Sequence, residues 1–404
     1  MSGPEERQPP EADGALGARI SAQARVNVRA LDQALRELWE LGRYVFLLWS
    51  RGEHGVTVLR LPHENLIAFL GNHPDWVSWR NDGARMTAEQ FLMSLMGGSR
   101  LVSADDLQAA GSLLGAERID IAVPHPGALR QGESGAIDAL IGRYGMSFHS
   151  GCAVVLLDIV DFSLFRPLEQ VTQIHSLSTS LNWAHSALLH RRIDVRFARS
   201  STGDGFYIWN RDSGPGANIN LYHLMHLMLA NNALRRRSAP RRSVPEVKTA
   251  FHVGSYYDIY LAEGLRPVAD SVIVGNVTVE LARILGAARP GQILVGDFTA
   301  SAPAGESASD RNRTLDSVSF IEAVQPTLSA LRGIELLDDR LLEVRCYLTG
   351  SARQGGGFDI GRYRVVDKHQ RSRNVFNAKV NITPERGDPV YLGLQNHEVV
   401  LPRA

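Results

Sequence analysis

Two carboxylates stand out by their settings. Asp158 ends the apolar run Val154-Val-Leu-Leu-Asp158 and is followed by Ile159, Val160, Asp161, Phe162 and Ser163; 46 residues later (204 − 158), Asp204 lies in Thr202-Gly-Asp204-Gly-Phe206. An Mg2+ or Mn2+ ion on nucleotide phosphates takes only one or two protein carboxylates and completes its shell with phosphate oxygens and water. Two acids at one edge of a sheet can therefore hold two such ions, one activating a hydroxyl nucleophile and the other neutralising a leaving diphosphate. The backbone from Ile159 to Phe162 adds amides that form an anion-binding concavity. Either acid alone has a plainer reading, Asp158 or Asp161 as a helix cap and Gly-Asp-Gly as a turn. The conjunction of both acids points to phosphoryl transfer.

The elements that must position these acids are legible as patterns. Cys152 to Val160 is a continuous apolar run, the mark of a strand buried on both faces. Pro167 suits the first position of a helix, and Leu168, Val171, Ile174, Leu177, Leu181, Ala184 and Leu188 follow at three- and four-residue steps. Val195–Ala198 and Phe206–Trp209 flank a Gly203-Asp204-Gly205 hairpin turn. A helix over about 219–234, paired strands at Lys248–Gly254 and Tyr256–Leu261, a helix at Val277–Leu285 and a strand at Gly291–Val295 complete a ferredoxin-like βαββαβ core of α+β class. Further strands are expected at Leu341–Leu348, Tyr363–Val366 and Asn374–Ile382, with an insertion at about 301–340.

Upstream, residues 1–17 read as disordered, and 18–148 as a mainly helical α/β accessory domain with no catalytic constellation. Within it the apolar positions from Ile20 to Trp49 predict one amphipathic helix or two; Val56–Leu59 predicts a strand, and Glu89–Met96 and Ala104–Leu114 predict helices. The catalytic domain is placed at 149–382, with 383–404 as a C-terminal tail. The run Arg235-Arg-Arg-Ser-Ala-Pro-Arg-Arg242 reads as a solvated loop. The 404 residues carry 43 Lys+Arg and 43 Asp+Glu, so no global field draws the chain to nucleic acid or an anionic membrane. Two cysteines without metal-binding spacing, and no apolar signal segment or run of ~20 apolar residues, suggest a cytoplasmic protein.

Five motifs in order resemble the class III nucleotidyl cyclases: Leu157-Asp158-Ile-Val-Asp-Phe-Ser163, Thr202-Gly-Asp204-Gly-Phe-Tyr207, Phe251-His-Val-Gly254, Val274-Gly-Asn-Val-Thr-Val-Glu-Leu-Ala-Arg283 and Pro290-Gly-Gln-Ile-Leu-Val295. The resemblance implies a head-to-tail homodimer with composite active sites that turn a nucleoside triphosphate into its 3′,5′-cyclic monophosphate plus diphosphate. It places the two divalent cations on Asp158, Asp204 and the backbone of Ile159, and the substrate against Phe162 and Ser163. It also implies Arg283 as the transition-state arginine and Lys368 as the triphosphate lysine.

The base-reading positions depart from the family. A lysine in adenylyl cyclases, or a glutamate in guanylyl cyclases, stands four residues before the second metal acid; here it is Ser200. The second purine-reading position falls on Val272, and the asparagine four residues before the arginine is Val279. A site without its polar partners loses discrimination for purines. The chain is thus most similar to the uridylate and cytidylate cyclases of bacterial Pycsar anti-phage systems, whose product is read by a separate effector. UTP is expected ahead of CTP; Phe197, Phe206 and Tyr207 are candidates to fill the space left by a smaller base, with strand-core packing as their first reading. A divergent purine cyclase and an inactive nucleotide-binding module are the alternatives.

Overall fold

The computed structural model describes residues 21–72, 76–79, 85–130, 134–263, 266–267, 271–302, 313–352, 354, 358–367 and 369–404. The expected disorder of 1–17 and the lysine at 368 fall outside them. The chain divides into one unit of Met1–Phe148 with Tyr257–Val272 and a second of His149–Tyr256 with Ile273–Ala404.

The first unit opens with helix α1 (Ala22–Trp39), capped by the Ser21 hydroxyl, which accepts the Ala24 amide at 3.1 Å, and buried along Leu31, Leu35 and Trp39. The helical pattern does not run on to Trp49, which corrects the expectation of one helix or two over Ile20–Trp49. Glu40 and Leu41 take left-handed backbone (φ 48° and 59°), and Tyr44–Arg51 is strand β1. Six consecutive buried residues in β1 carry no helical period, because the strand is covered on both faces. It pairs with β2 (Gly55–Pro62), and β2 pairs with β3 (Glu117–Ala122), both antiparallel. Helices α2 (Glu64–Asn72), α3 (Ala88–Met96) and α4 (Ala104–Leu114) supply one apolar core, which includes Phe69, Phe91 and Leu107. The other core joins α1 with α5 (Ser134–Arg143).

In the second unit the order is β4 (Met146–Ile159), α6 (Pro167–His190), β5 (Phe197–Ser201), β6 (Gly205–Asn210), α7 (Pro215–Ser238) and β7 (Val247–Ile259). The four strands lie in the order β7, β4, β6, β5, the arrangement of a ferredoxin-like βαββαβ core. Strand β8 (Val272–Val274) pairs with β7. After helix α8 (Asn276–Gly286), strand β9 (Ile293–Gly296) joins β7 in parallel. Helix α9 (Ser317–Val324) lies in the expected insertion. Strands β10 (Asp339–Leu348), β11 (Arg362–Val366), β12 (Ser372–Pro384) and β13 (Val390–Leu392) extend the sheet, with β12 antiparallel to the other three and to β9. The 383–404 tail therefore supplies a strand of this sheet.

The apolar run of β4 is explained by burial on both faces. Ala153, Val155, Leu157 and Ile159 pack with α6 and α7, against Leu177, Leu181 and Leu221, while Cys152, Val154 and Leu156 pack with α8, against Val277 and Leu281. The period of two along β4 thus sorts its side chains between two cores. Three sequence expectations are corrected here. The paired strands 248–254 and 256–261 are one strand, β7. Helix α7 begins at Pro215 and continues to Ser238, so Arg235, Arg236 and Arg237 form its last turn instead of a loop, where their charge complements the helix dipole. Arg235 is also structural, donating to the Ser176 carbonyl at 2.9 Å and the Ser180 hydroxyl at 3.2 Å.

The β5–β6 hairpin rests on two glycines. Gly203 has φ +96°, the glycine at the first central position that a type II′ turn requires. Gly205 lies opposite Asp158, and a methyl group there would sit 1.8 Å from the Leu157 carbonyl oxygen. Gly205→Ala is therefore expected to lower the stability of this unit by about 2–3 kcal/mol, through forced backbone displacement. Urea denaturation followed by tryptophan fluorescence measures it, and an unchanged midpoint would contradict the close approach.

Candidate functional site

The site forms where three strands end together. Asp158 is the penultimate residue of β4 and pairs with Gly205, so Asp204, in the turn before β6, stands beside it; the Ile159 amide donates to the Asp204 carbonyl at 2.9 Å. From the other neighbouring strand, β7, the Lys248 ammonium reaches Asp158 Oδ2 at 3.4 Å. Asp158 shares its parity with Val154 and Leu156, so its side chain leaves the sheet on the α8 face, past the end of the apolar core.

Burial raises the Asp158 pKa from its ordinary value, and the Asp204 charge raises it further, while Lys248 opposes both. The Thr202 hydroxyl offers Asp204 Oδ1 a contact at 3.3 Å. Two carboxylates that repel each other, with one lysine paired to Asp158, suit a divalent cation. Among the described residues no three His, Cys, Asp or Glu gather in one cluster. An ion held by Asp158 and Asp204 would therefore draw its other oxygens from phosphate and water, as magnesium and manganese on nucleotides do.

The loop after β4 fits an anion, with one correction to the expected set of amides. The Ile159 and Val160 amides are taken by the carbonyls of Asp204 and Glu246. Asp161 adopts left-handed backbone (φ 56°), and the 3-10 turn Phe162–Leu164 follows. Among the described residues no hydrogen bond engages the amides of Asp161, Phe162 and Ser163. These three, not the 159–162 set, form the open concavity. Phe162 packs on the helical core, and Ser163 is exposed.

The remaining sequence-derived positions lie elsewhere on the same unit or outside it. Ser200 is half-buried on β5, directly opposite Tyr207 on β6. Its neighbour in parity is Ala198, so both Ser200 and Tyr207 face the α8 side, whereas Phe197 and Phe206 pack into the helical core. Phe197 and Phe206 are thereby removed as pocket fillers. The half-buried Tyr207 donates its hydroxyl to the Thr278 carbonyl at 3.1 Å, and burial raises its pKa, so the phenol stays neutral. Val272 is a half-buried residue of β8, and Val279 is exposed on α8.

Arg283 is not brought to the two acids. It lies on α8 in a cluster with Glu280, Asp367 and Arg373, its Nε 3.0 Å from Asp367 Oδ2. Lys368 lies outside the described residues. Sequence reasoning missed Lys248, although a signal existed: it is the one cation in Val247–Gly254, an otherwise uncharged strand segment that the topology sets beside β4.

If Asp158 and Asp204 hold divalent cations, Mn2+ at about ten times its Kd should raise the unfolding temperature of this unit by roughly 3–6 °C. Asp158→Asn and Asp204→Asn should each remove the shift in differential scanning fluorimetry. A shift that persists in both variants would contradict the assignment.

No family model matches the sequence, and no curated protein matches it. Among solved structures the fold is similar to that of the guanylyl cyclase Cya2, at 12% identity and a TM-score of 0.33 over 64% of this chain and 98% of that one. It is also similar to the adenylyl cyclase CyaB from P. aeruginosa, at 12% identity and a TM-score of 0.34 over 60% of this chain and 98% of that one. A third similar structure is the guanylate cyclase domain of RhGC from Catenaria anguillulae in complex with GTP, at 9% identity and a TM-score of 0.34 over 59% of this chain and 98% of that one.

Proposed function

We propose that this protein is a nucleotidyl cyclase that converts a pyrimidine nucleoside triphosphate, UTP ahead of CTP, into its 3′,5′-cyclic monophosphate. The observation that carries the reading is the convergence of Asp158, Asp204 and Lys248 from three strands upon one edge, next to the open amides of Asp161, Phe162 and Ser163. Acids, a cation and an anion-binding loop in one place suit a triphosphate. The succession of five class III cyclase motifs along the chain selects cyclisation among phosphoryl transfers.

In this reaction the ribose 3′-oxygen forms a bond to the α-phosphorus, the bond from that phosphorus to the bridging oxygen breaks, and the 3′-hydroxyl proton is lost as diphosphate leaves. Divalent cations, when bound, activate the hydroxyl and screen the leaving group. Asp158 and Asp204 would hold them, with the Ile159 carbonyl as a further donor. Lys248 places its charge beside phosphate oxygens, and the 161–163 amides fix the triphosphate against the loop. Arg283, held apart from the acids in its own chain, acts in the site of a second subunit and stabilises charge on the α-phosphate. Lys368 is its companion for the triphosphate. The active form is then a homodimer with two composite sites.

The base assignment rests on Ser200, Val272 and Tyr207. Ser200 and Val272 offer neither the charge nor the paired polar groups of a purine reader. The Tyr207 ring stands on the same face as Ser200, tethered to Thr278, and narrows the space for a base. The similarity to Pycsar cyclases further suggests a second messenger made during phage infection and read by a separate effector.

Purified protein incubated with Mn2+ and each of ATP, GTP, CTP and UTP should yield a cyclic pyrimidine nucleotide by mass spectrometry. Cyclic AMP or GMP alone would replace this reading with that of a divergent purine cyclase, and no turnover would favour a binding module. Asp158→Ala should lower turnover at least ~1,000-fold without unfolding the chain, since it removes a ligand and no core volume. Mixing Asp204→Ala with Arg283→Ala chains should restore part of the activity, because one composite site per mixed dimer is intact. Absence of rescue in demonstrated mixed dimers would count against shared sites.

A further inference from the structure

We infer that Asp367 is a positioning residue for Arg283: it holds the guanidinium at Nε, with Glu280 beside Nη1, and leaves Nη2 for an incoming phosphate. This inference deepens the proposed function and rests on the role given there to Arg283. The geometry is a closed ring of alternating charge. Asp367 Oδ2 lies 3.0 Å from Arg283 Nε and 3.3 Å from Arg373 Nη1. Glu280 pairs closely with Arg373 and stands 3.6 Å from Arg283 Nη1, beyond hydrogen-bond length. The Arg283 guanidinium is therefore paired closely at Nε and more loosely at Nη1, and among the described residues no ion pair engages Nη2.

Three features fit positioning better than a chance surface ion pair. Asp367 has only 7% of its side chain exposed and Arg373 15%, so the ring lies on a partly desolvated base where ion pairs are less screened. Asp367 is itself fixed, because its Oδ1 accepts the amides of His369 at 2.8 Å and Arg371 at 2.9 Å; these contacts and the two arginines hold its pKa low. The two acids are also shared by two arginines. Arg373 takes up part of their negative charge, so Arg283 is oriented without being fully neutralised. One carboxylate thus joins the β11–β12 connection to α8 and sets the direction of the guanidinium.

The test is the double substitution cycle of Asp367→Asn with Arg283→Ala in the full chain, read as kcat and KM with the preferred nucleotide. Asparagine keeps the carbonyl that accepts the His369 and Arg371 amides and loses the charge facing Arg283 and Arg373. Asp367→Asn is expected to lower kcat by about 10- to 100-fold with KM changed less than about threefold, the mark of an interaction made in the transition state. In the Arg283→Ala background it should cause no further loss. Full activity of Asp367→Asn, or losses that multiply in the double variant, would overturn the inference while leaving the cyclase reading intact. Full activity of Arg283→Ala, or an inactive parent chain, would overturn the role of Arg283 and this inference together.

Discussion

The site depends on one constraint, the burial of β4 on both faces. Because alternate residues of Cys152–Ile159 pack into different cores, the strand cannot slip by one residue without exchanging every side chain between them. That fixed register places Asp158, the one charged residue of the segment, where the core ends. It also sets Asp158 opposite Gly205, whose missing side chain lets β6 approach and brings Asp204 within range. The repulsion between two carboxylates is thus imposed by apolar packing along the rest of β4. On the proposed reading, that repulsion is relieved by cations.

The same alternation decides which neighbours can touch a bound base. Ser200 and Tyr207 belong to the α8 face because they are cross-strand partners and share parity with Ala198 and Trp209. Phe197 and Phe206 belong to the other face, where Phe197 meets His185 edge-on at 4.9 Å and Phe206 lies beneath the Arg199 guanidinium. Aromatic content near a site is therefore a poor guide by itself. Parity along the strand separates a residue that could shape the pocket from two that fill the core.

Much of this was legible in the sequence where one signal dominated. The continuous run ending in Asp158, the Gly203-Asp204-Gly205 turn and the helix started by Pro167 each combine period, turn chemistry and a terminator that agree. Legibility failed where local signals could not separate alternatives. Tyr44–Trp49 followed a helix closely in sequence, and the left-handed residues Glu40 and Leu41 mark the change to a strand. The arginines 235–237 looked like a solvated run because charge is read as exposure, yet helical geometry turns Arg235 onto the Ser176 carbonyl. The pairings of Lys248 and Asp367 were missed for a different reason. Each acts through a partner 84 to 90 residues away (367 − 283 and 248 − 158), and no local period encodes such a meeting.

Charge bookkeeping explains why the two halves of the machinery are separate. The acid centre holds two carboxylates and one lysine, a local excess of negative charge that suits the cations of the proposed reaction. The Arg283 ring holds two acids and two arginines and is balanced. If Arg283 lay against Asp158 and Asp204 in its own chain, it would satisfy them directly and compete with the cations. Tied instead to Asp367, it keeps its charge and direction for an anion that arrives with the substrate. On the proposed reading, that anion is a phosphate already bound to the metals of the other subunit, so the negative centre and the balanced ring complete each other only when two chains and a triphosphate meet.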